Sequence, residues 1–209
     1  MKYLYIDTSS AFLFSAIIED DKLIGEKKLE LGHDLSKDAV FEIAKMFEDN
    51  NIRVDDITKI IVVDGPGSFT GIRIGISIAK VYAWAKKIPI STTNALLSMA
   101  LSSKKECIHV PILDARNDYV YAAIYDEDYK ELFNPQHLLK KDLLKELEKY
   151  NNYSFISNDK FNDIKEIEYY DPNFINIVNF NKNNKEINPH NINPNYLKLT
   201  AAEENKKND

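Results

Sequence analysis

The 209-residue sequence has a single cysteine, Cys107, which rules out an intrachain disulfide framework and a cysteine metal cluster and fits a reducing compartment. Its 4 histidines, His33, His109, His137 and His190, are dispersed, and His33 is followed by Lys37, so no HxxxH pair exists with which a helix face could grip a metal. No apolar run approaches the ~20 residues of a membrane-spanning helix, and residues 3–6 read as a strand with no basic region and apolar leader before it. A soluble, cytoplasmic protein with no membrane contact is expected. Positive charge is not in excess either: the net charge is -6, and Lys104-Lys105, Lys140-Lys141 and Lys206-Lys207 are isolated pairs. There is no basic stripe of the kind that follows a nucleic-acid backbone, so any such ligand would have to be held mainly by another molecule.

What is present is a regular order of elements. Residues 3–6, 12–18 and 22–31 read as three strands, the third more polar and nearer an edge, and a helix spans 35–49 with Val40, Ile43, Ala44 and Phe47 at the spacing of a core-facing stripe that Leu35, Ala39 and Met46 widen. Phe41 lies off that stripe, as a packed edge residue or a contact for a second helix. A fourth strand at 60–63, a helix to about 86, a short strand at 88–90 and a helix from Ala95, capped by Thr93-Asn94, complete the order βββαβαβα. Such an order belongs to the ribonuclease H-like, actin-like ATPase architecture, an α/β fold of mixed sheets flanked by helices. A poorer second copy follows, with strands at 108–113, 119–125 and 153–156 and a helix at 142–150, giving two tandem subdomains at 1–103 and 104–209. Between 157 and 193 asparagine, lysine and isoleucine dominate, yet Phe161, Tyr169, Phe174, Ile177 and Val178 still offer core. The patch Pro194-Asn195-Tyr196-Leu197-Lys198 is expected to dock back on the sheet, and residues 201–209 to fray.

The stretch 64–73, DGPGSFTGIR, joins the fourth strand to its helix. Pro66 fixes its φ and Gly67 can take the positive φ of a type II turn. Ser68 or Thr70 can cap the helix, Thr70 being preferred. At about 100° per residue, Ile72, Ile76, Ala79 and Ala83 share one face while Ile74, Ile78, Val81 and Ala85 lie roughly opposite. Two apolar stripes need two covers, one of them this chain's sheet and the other a neighbouring helix or another protein. Arg73, in the first turn if Thr70 is the cap, opposes the helix dipole. It either pairs with Asp64 or Asp7 or faces a partner or an anionic ligand.

Three acids, Asp7, Asp64 and Asp114, each follow a predicted strand, where they could hold Mg²⁺ beside a nucleotide such as ATP. Against that, the loop Asp7-Thr8-Ser9-Ser10 has no glycine and short acids commonly serve as turn residues. A phosphate-binding P-loop is excluded at 65–71, because Gly71 is followed by Ile72 where lysine is required. Ser68 sits on a strand-turn-helix corner, but PGSFT is not GxSxG.

The run GPGSFTGIR, Gly65 to Arg73 including Gly71, resembles the signature of the bacterial TsaB (YeaZ) family, an accessory subunit of the machinery that makes threonylcarbamoyladenosine in tRNA. Asp7-Thr8-Ser9, Gly32-His33, Asp114-Ala115-Arg116 and Val120-Tyr121-Ala122-Ala123 are similar to further family pieces, and 194–198 to its PxYLR patch with Lys198 in place of arginine. The resemblance covers residues 1–125 and implies an actin-like fold without catalytic machinery or cofactor. It implies a TsaD-like catalytic partner that holds the metal, a TsaE-like ATPase that joins the pair, and a homodimer when the partner is absent. The implied partner surface is a helical bundle from the first two helices, with Val40, Ile43, Ala44, Phe47, Ile74, Ile78, Val81 and Ala85 as its candidates. The competing readings are an actin-like ATPase or small-molecule kinase using the three aspartates, and a peptidase.

Overall fold

The computed structural model describes residues 1–198, so the tail at 201–209 lies outside the described residues. Strands β1 (Lys2–Asp7), β2 (Phe12–Glu19) and β3 (Lys22–Glu30) form an antiparallel meander. Helix α1 (Leu35–Asp49), strand β4 (Lys59–Gly65), helix α2 (Phe69–Lys86), strand β5 (Ile90–Asn94) and helix α3 (Ala95–Ala100) follow. The sheet order is β3-β2-β1-β4-β5, with β4 parallel to both β1 and β5. The fifth strand begins at Ile90 rather than Ile88, and Asn94 caps α3 by accepting from Leu96 and Leu97 N–H.

The second copy is more complete than its sequence implies. Strands β6 (Ile108–Asp114), β7 (Tyr119–Tyr125) and β8 (Glu131–Leu139), helix α4 (Lys140–Leu147) and strands β9 (Tyr153–Ser157) and β10 (Ile167–Tyr169) form a sheet in the order β10-β9-β6-β7-β8. Reading from β8, this is the connection pattern of the first sheet. Helix α5 (Phe174–Asn181) closes the series. Strands β8 and β10 and helix α5 are additions to the expected list. The doubled βββαβ pattern is the actin-like, ribonuclease H-like architecture.

Alternation along β1 divides the core. Leu4 and Ile6 point to one face of the first sheet, where Ile43, Phe47, Ile60, Val62, Ile72 and Ile76 of α1, β4 and α2 bury them. Tyr5 points to the other face, into a cluster in which α3 and α5 join Ile61 and Val63 to Tyr121, Ala123 and Ile156 of the second sheet. Helix α5 therefore packs on the first sheet although it follows the second in sequence.

Helix α1 keeps most of the expected stripe and departs from it at Val40 and Ala44. Its buried residues are Leu35, Ala39, Ile43, Met46 and Phe47, while Val40 is 51% and Phe41 64% exposed and Ala44 is exposed too. The run is apolar enough to support two overlapping stripes, and the sheet takes the one centred on Ala39 and Ile43. Ile43→Ala is accordingly expected to cost about 2–5 kcal/mol in urea unfolding, whereas Val40→Ala should stay within about 0.5 kcal/mol; equal losses would reject this orientation.

Candidate functional site

The corner after β4 is packed against the loop that joins β1 to β2. The Gly65–Pro66 peptide is cis, and Gly67 has φ +149°, away from the roughly +80° of the type II turn expected there. A Cβ on Gly67 would stand 2.1 Å from the Ser9 carbonyl oxygen, and one on Gly71 would stand 2.0 Å from that of Thr8. These approaches carry hydrogen bonds: Ser68 N–H donates to Ser9 O at 2.7 Å and Thr8 Oγ1 donates to Gly71 O at 2.7 Å. Ser68, not Thr70, is the cap, its Oγ accepting from Gly71 N–H at 3.2 Å, because the helix already starts at Phe69 and Thr70 is exposed within its first turn. The hydroxyl of Ser68 thus closes a helix end, and the glycines admit a neighbouring backbone rather than a phosphate.

Beside this corner lies a cleft of about 910 Å³ between the two sheets, which brings together Asp7 and Asp114 but not Asp64. Asp7 is buried, and its Oδ1 accepts from Ser9 N–H at 2.8 Å; burial pushes its carboxyl above the ordinary range despite that bond. Asp114 is exposed and accepts from Arg116 N–H at 2.8 Å, a turn contact within its own loop. A further acid on the wall, Asp159, escapes the sequence reading, although it stands two residues past the end of β9, close to the place that Asp7 and Asp114 hold as the last residues of β1 and β6. Its Oδ2 accepts from Asp114 N–H at 2.8 Å, and burial, with the Asp114 charge adding to it, raises its carboxyl. Asp64, the penultimate residue of β4, is the counterpart in the first half but does not line the cleft. Burial lifts its pKa from 3.8 to about 6, partly offset by the Thr92 hydroxyl. Among the described residues no group of three or more His, Cys, Asp or Glu side chains is arranged to hold a metal. His33 lies on the cleft wall, whereas His109 is buried on the Tyr129 ring and its basicity is lowered by that burial.

Arg73 pairs with neither Asp64 nor Asp7. Its Nε donates to the Tyr196 hydroxyl at 2.6 Å, with the guanidinium 5.7 Å from that ring, and Tyr196 stacks on Phe69 at 4.3 Å. With Ser68 as cap, Arg73 is past the first turn, where the dipole penalty fades. The patch 194–198 therefore docks, but on the corner and the start of α2 rather than on a sheet face.

The inward face of α2 is Ile72, Ile76, Ala79 and Ala83, all buried. On the opposite stripe Val81 is 62% exposed, Ala85 is exposed, Ile74 is half-buried and Ile78 is buried at the margin. The Phe47 and Tyr82 rings meet edge to face at 6.3 Å, fixing how α1 and α2 are turned toward each other. On helical geometry, Val40 and Ala44 continue outward from Phe47, while Ile78, Ile74, Ala85 and Val81 continue outward from Tyr82. The two rows flank a shallow apolar surface, with Phe41 and Trp84, 68% exposed, beyond it. Of the eight candidates, Ile43, Phe47 and Ile78 lie beneath this surface rather than on it, as parts of the chain's own core.

Comparison with known proteins follows from this geometry. Residues 33–174 match the family described as TsaD: tRNA N6-adenosine threonylcarbamoyltransferase. The chain is similar to the tRNA threonylcarbamoyladenosine biosynthesis protein TsaB of Bacillus subtilis, 36% identical over 126 residues, covering 60% of this chain and 55% of that protein. The Escherichia coli protein of the same name is 28% identical over 156 residues, covering 70% and 65%. The chain thus matches under two thirds of the length of either. The solved structure of YeaZ from Pseudomonas aeruginosa shares the fold, with a TM-score of 0.74 at 15% identity, covering 94% of this chain and 99% of that one.

Two outcomes are expected of the corner. Alanine in place of a helical glycine normally gains about 1 kcal/mol, but Gly71→Ala should lose about 1–3 kcal/mol on thermal unfolding, because the new methyl group meets the Thr8 backbone; a gain would show that the contact yields. For Asp64, the folded chain holds a proton through the range from 3.8 to about 6 where the unfolded chain has released it, so its contribution to stability falls as pH rises through that range. Asp64→Asn should therefore unfold later than the natural chain at about pH 7.5 and at the same midpoint below about pH 4; a pH-independent difference would reject the assignment.

Proposed function

The chain belongs to the TsaB (YeaZ) family, within the wider family described as TsaD: tRNA N6-adenosine threonylcarbamoyltransferase, and on that premise we propose that it is a non-catalytic subunit serving tRNA threonylcarbamoyladenosine biosynthesis. Its task in this reading is to stabilise and activate a TsaD-like catalytic subunit that modifies the adenosine next to the anticodon. The observation that carries the reading is the outward surface of α1 and α2. Val40, Phe41, Val81 and Trp84 are all more than half exposed there, and nothing in their own chain requires them to be apolar. A partner built on the same two helices would cover them by helix packing.

The cleft supports a non-catalytic role. Asp64 does not line it, and in the first loop the Ser9 N–H, a donor that a phosphate would need, is already spent on Asp7 Oδ1. The net charge of -6 fits a subunit that leaves most of the grip on tRNA to its partner. In this reading a TsaE-like ATPase joins the pair, the isolated chain dimerises through the same surface, and no cofactor of its own is needed.

The test is the mass of the purified chain alone and mixed with the TsaD-like protein of the same genome, followed by transfer assays on tRNA. The exposed position is the informative one to charge, since Ile76 and Ile78 are buried and a charge there would unfold the helix. Val81→Asp should weaken the heteromeric complex at least about tenfold, an unpaired charge being costly to bury, with unchanged circular dichroism. If neither Val81→Asp nor Val40→Asp affects association, the surface is wrongly assigned; turnover of ATP by the isolated chain would overturn the non-catalytic reading.

A further inference from the structure

After α5 the chain crosses back over the first half. The buried Lys59 ammonium donates to the carbonyls of Lys182 at 2.9 Å and Asn184 at 2.7 Å, and Asn184 Nδ2 donates to Thr92 O at 3.1 Å. Ile187 N–H then donates to Ile90 O at 2.9 Å, taking up part of the free edge of β5, and Ile192 is buried in the α1–α2 core. As far as Ile192 this strap does what an open sheet edge requires.

The last residues do something else. Asn195 N–H donates to Asp64 O at 2.7 Å, so close to the corner that a Cβ on Gly65 would stand 2.2 Å from the Asn195 carbonyl. Tyr196 then contacts two residues one turn apart on α2, stacking on Phe69 and accepting from Arg73. The ring and the hydroxyl of a single side chain are both engaged on the first two turns of a helix that carries, further along, the exposed Val81 and Trp84. The inward face of α2 is narrow at its start, where Gly71 and Gly75 offer no side chain to pack.

We propose that Tyr196 is a positioning residue: by holding Phe69 and Arg73 it sets the rotation and tilt of α2, and so presents the outward row of α1 and α2 in the form a partner subunit recognises. This rests on the partner reading above. The stacking and the charge-aromatic contact are side-chain interactions of modest strength, enough to choose between orientations of a helix end without deciding whether the domain folds.

Tyr196→Ala and Tyr196→Phe are compared in the full chain. Tyr196→Ala should raise amide exchange over residues 70–77 about tenfold and weaken the complex with the TsaD-like subunit about tenfold, while β1 and β4 keep their protection. Tyr196→Phe keeps the ring but not the acceptor and should fall between. Arg73→Gln loses the charge-aromatic contact as well and should cost at least as much as Tyr196→Phe, and Tyr196→Phe added to it should cost little more, as expected for one shared hydrogen bond. Unchanged exchange at the start of α2, or a loosened helix with undiminished association, would overturn the proposal. If Val81→Asp breaks the complex and Tyr196→Ala does not, only this inference fails; if Val81→Asp has no effect, the partner reading fails with it.

Discussion

The contact on which the rest of the molecule depends is between two pieces of backbone, the Thr8-Ser9 turn and the Gly67–Gly71 corner. Two amide-to-carbonyl and hydroxyl-to-carbonyl bonds of 2.7 Å tie them together, and the room for those bonds exists only because two positions carry no Cβ. From that point α2 is aimed along the sheet, its Ile72-Ile76-Ala79-Ala83 face is committed to the core, and the opposite row is left outside. The same turn and corner, through Ser9, Gly67, Ser68 and Gly71, line the cleft between the sheets. One packing decision therefore sets both the apolar surface and the polar cleft.

The cleft is where the two copies of the fold meet, and their differences decide its character. Equivalent strand ends in the two halves carry Asp7 with Asp114 and Asp64 with Asp159, four acids in corresponding places. Three line the cleft and the fourth does not. Two of those three, Asp7 and Asp159, are satisfied by backbone N–H groups and are pushed toward protonation by burial, and Asp114 spends an oxygen on its own turn. Such carboxylates are turn and loop fasteners first.

Much of this was readable beforehand, and the failures have physical causes. The βββαβαβα order followed from period-2 and period-3.6 patterns because those elements are long and buried on one face. Strand β8 was missed because Asn134-Pro135-Gln136 reads as a loop; proline is tolerated there because β8 is the edge of its sheet and an edge strand has amides to spare. Strand β10 has three residues, and its pairing with β9 is a long-range fact that no local pattern carries. In α5 the sequence marks Phe174, Ile177 and Val178 as core but does not mark a helix, since three of its eight positions are asparagines, whose helical propensity is poor. For Arg73 the sequence offers a pair with Asp64 or Asp7, or an outside partner or anion, because Tyr196, which it contacts, arrives from the far end of the chain. Asp159 had the same signal as its three counterparts, a strand end, and was overlooked because the asparagine-rich region blurs the pattern around it.

The doubled fold also bears on how such a chain would choose its partner. Helix α1 crosses from β3 over β2 and β1 to β4, and α2 joins β4 to its parallel neighbour β5, so the two run side by side in one direction; their outer surface is an apolar face, and among the described residues α4 stands alone over the corresponding side of the second half. A second copy of this chain and a homologous catalytic chain would present helix pairs of the same geometry, and either could cover the face. A two-fold pairing of identical faces is self-complementary by symmetry, whereas a heteromeric pairing can place different side chains on the two sides and is free to be the better packed. Because both would use one surface they exclude each other, and the populations follow from the two affinities and the two concentrations. On the proposed reading, a weak dimer would keep the apolar face out of water until the catalytic subunit is present, and would yield to it by mass action.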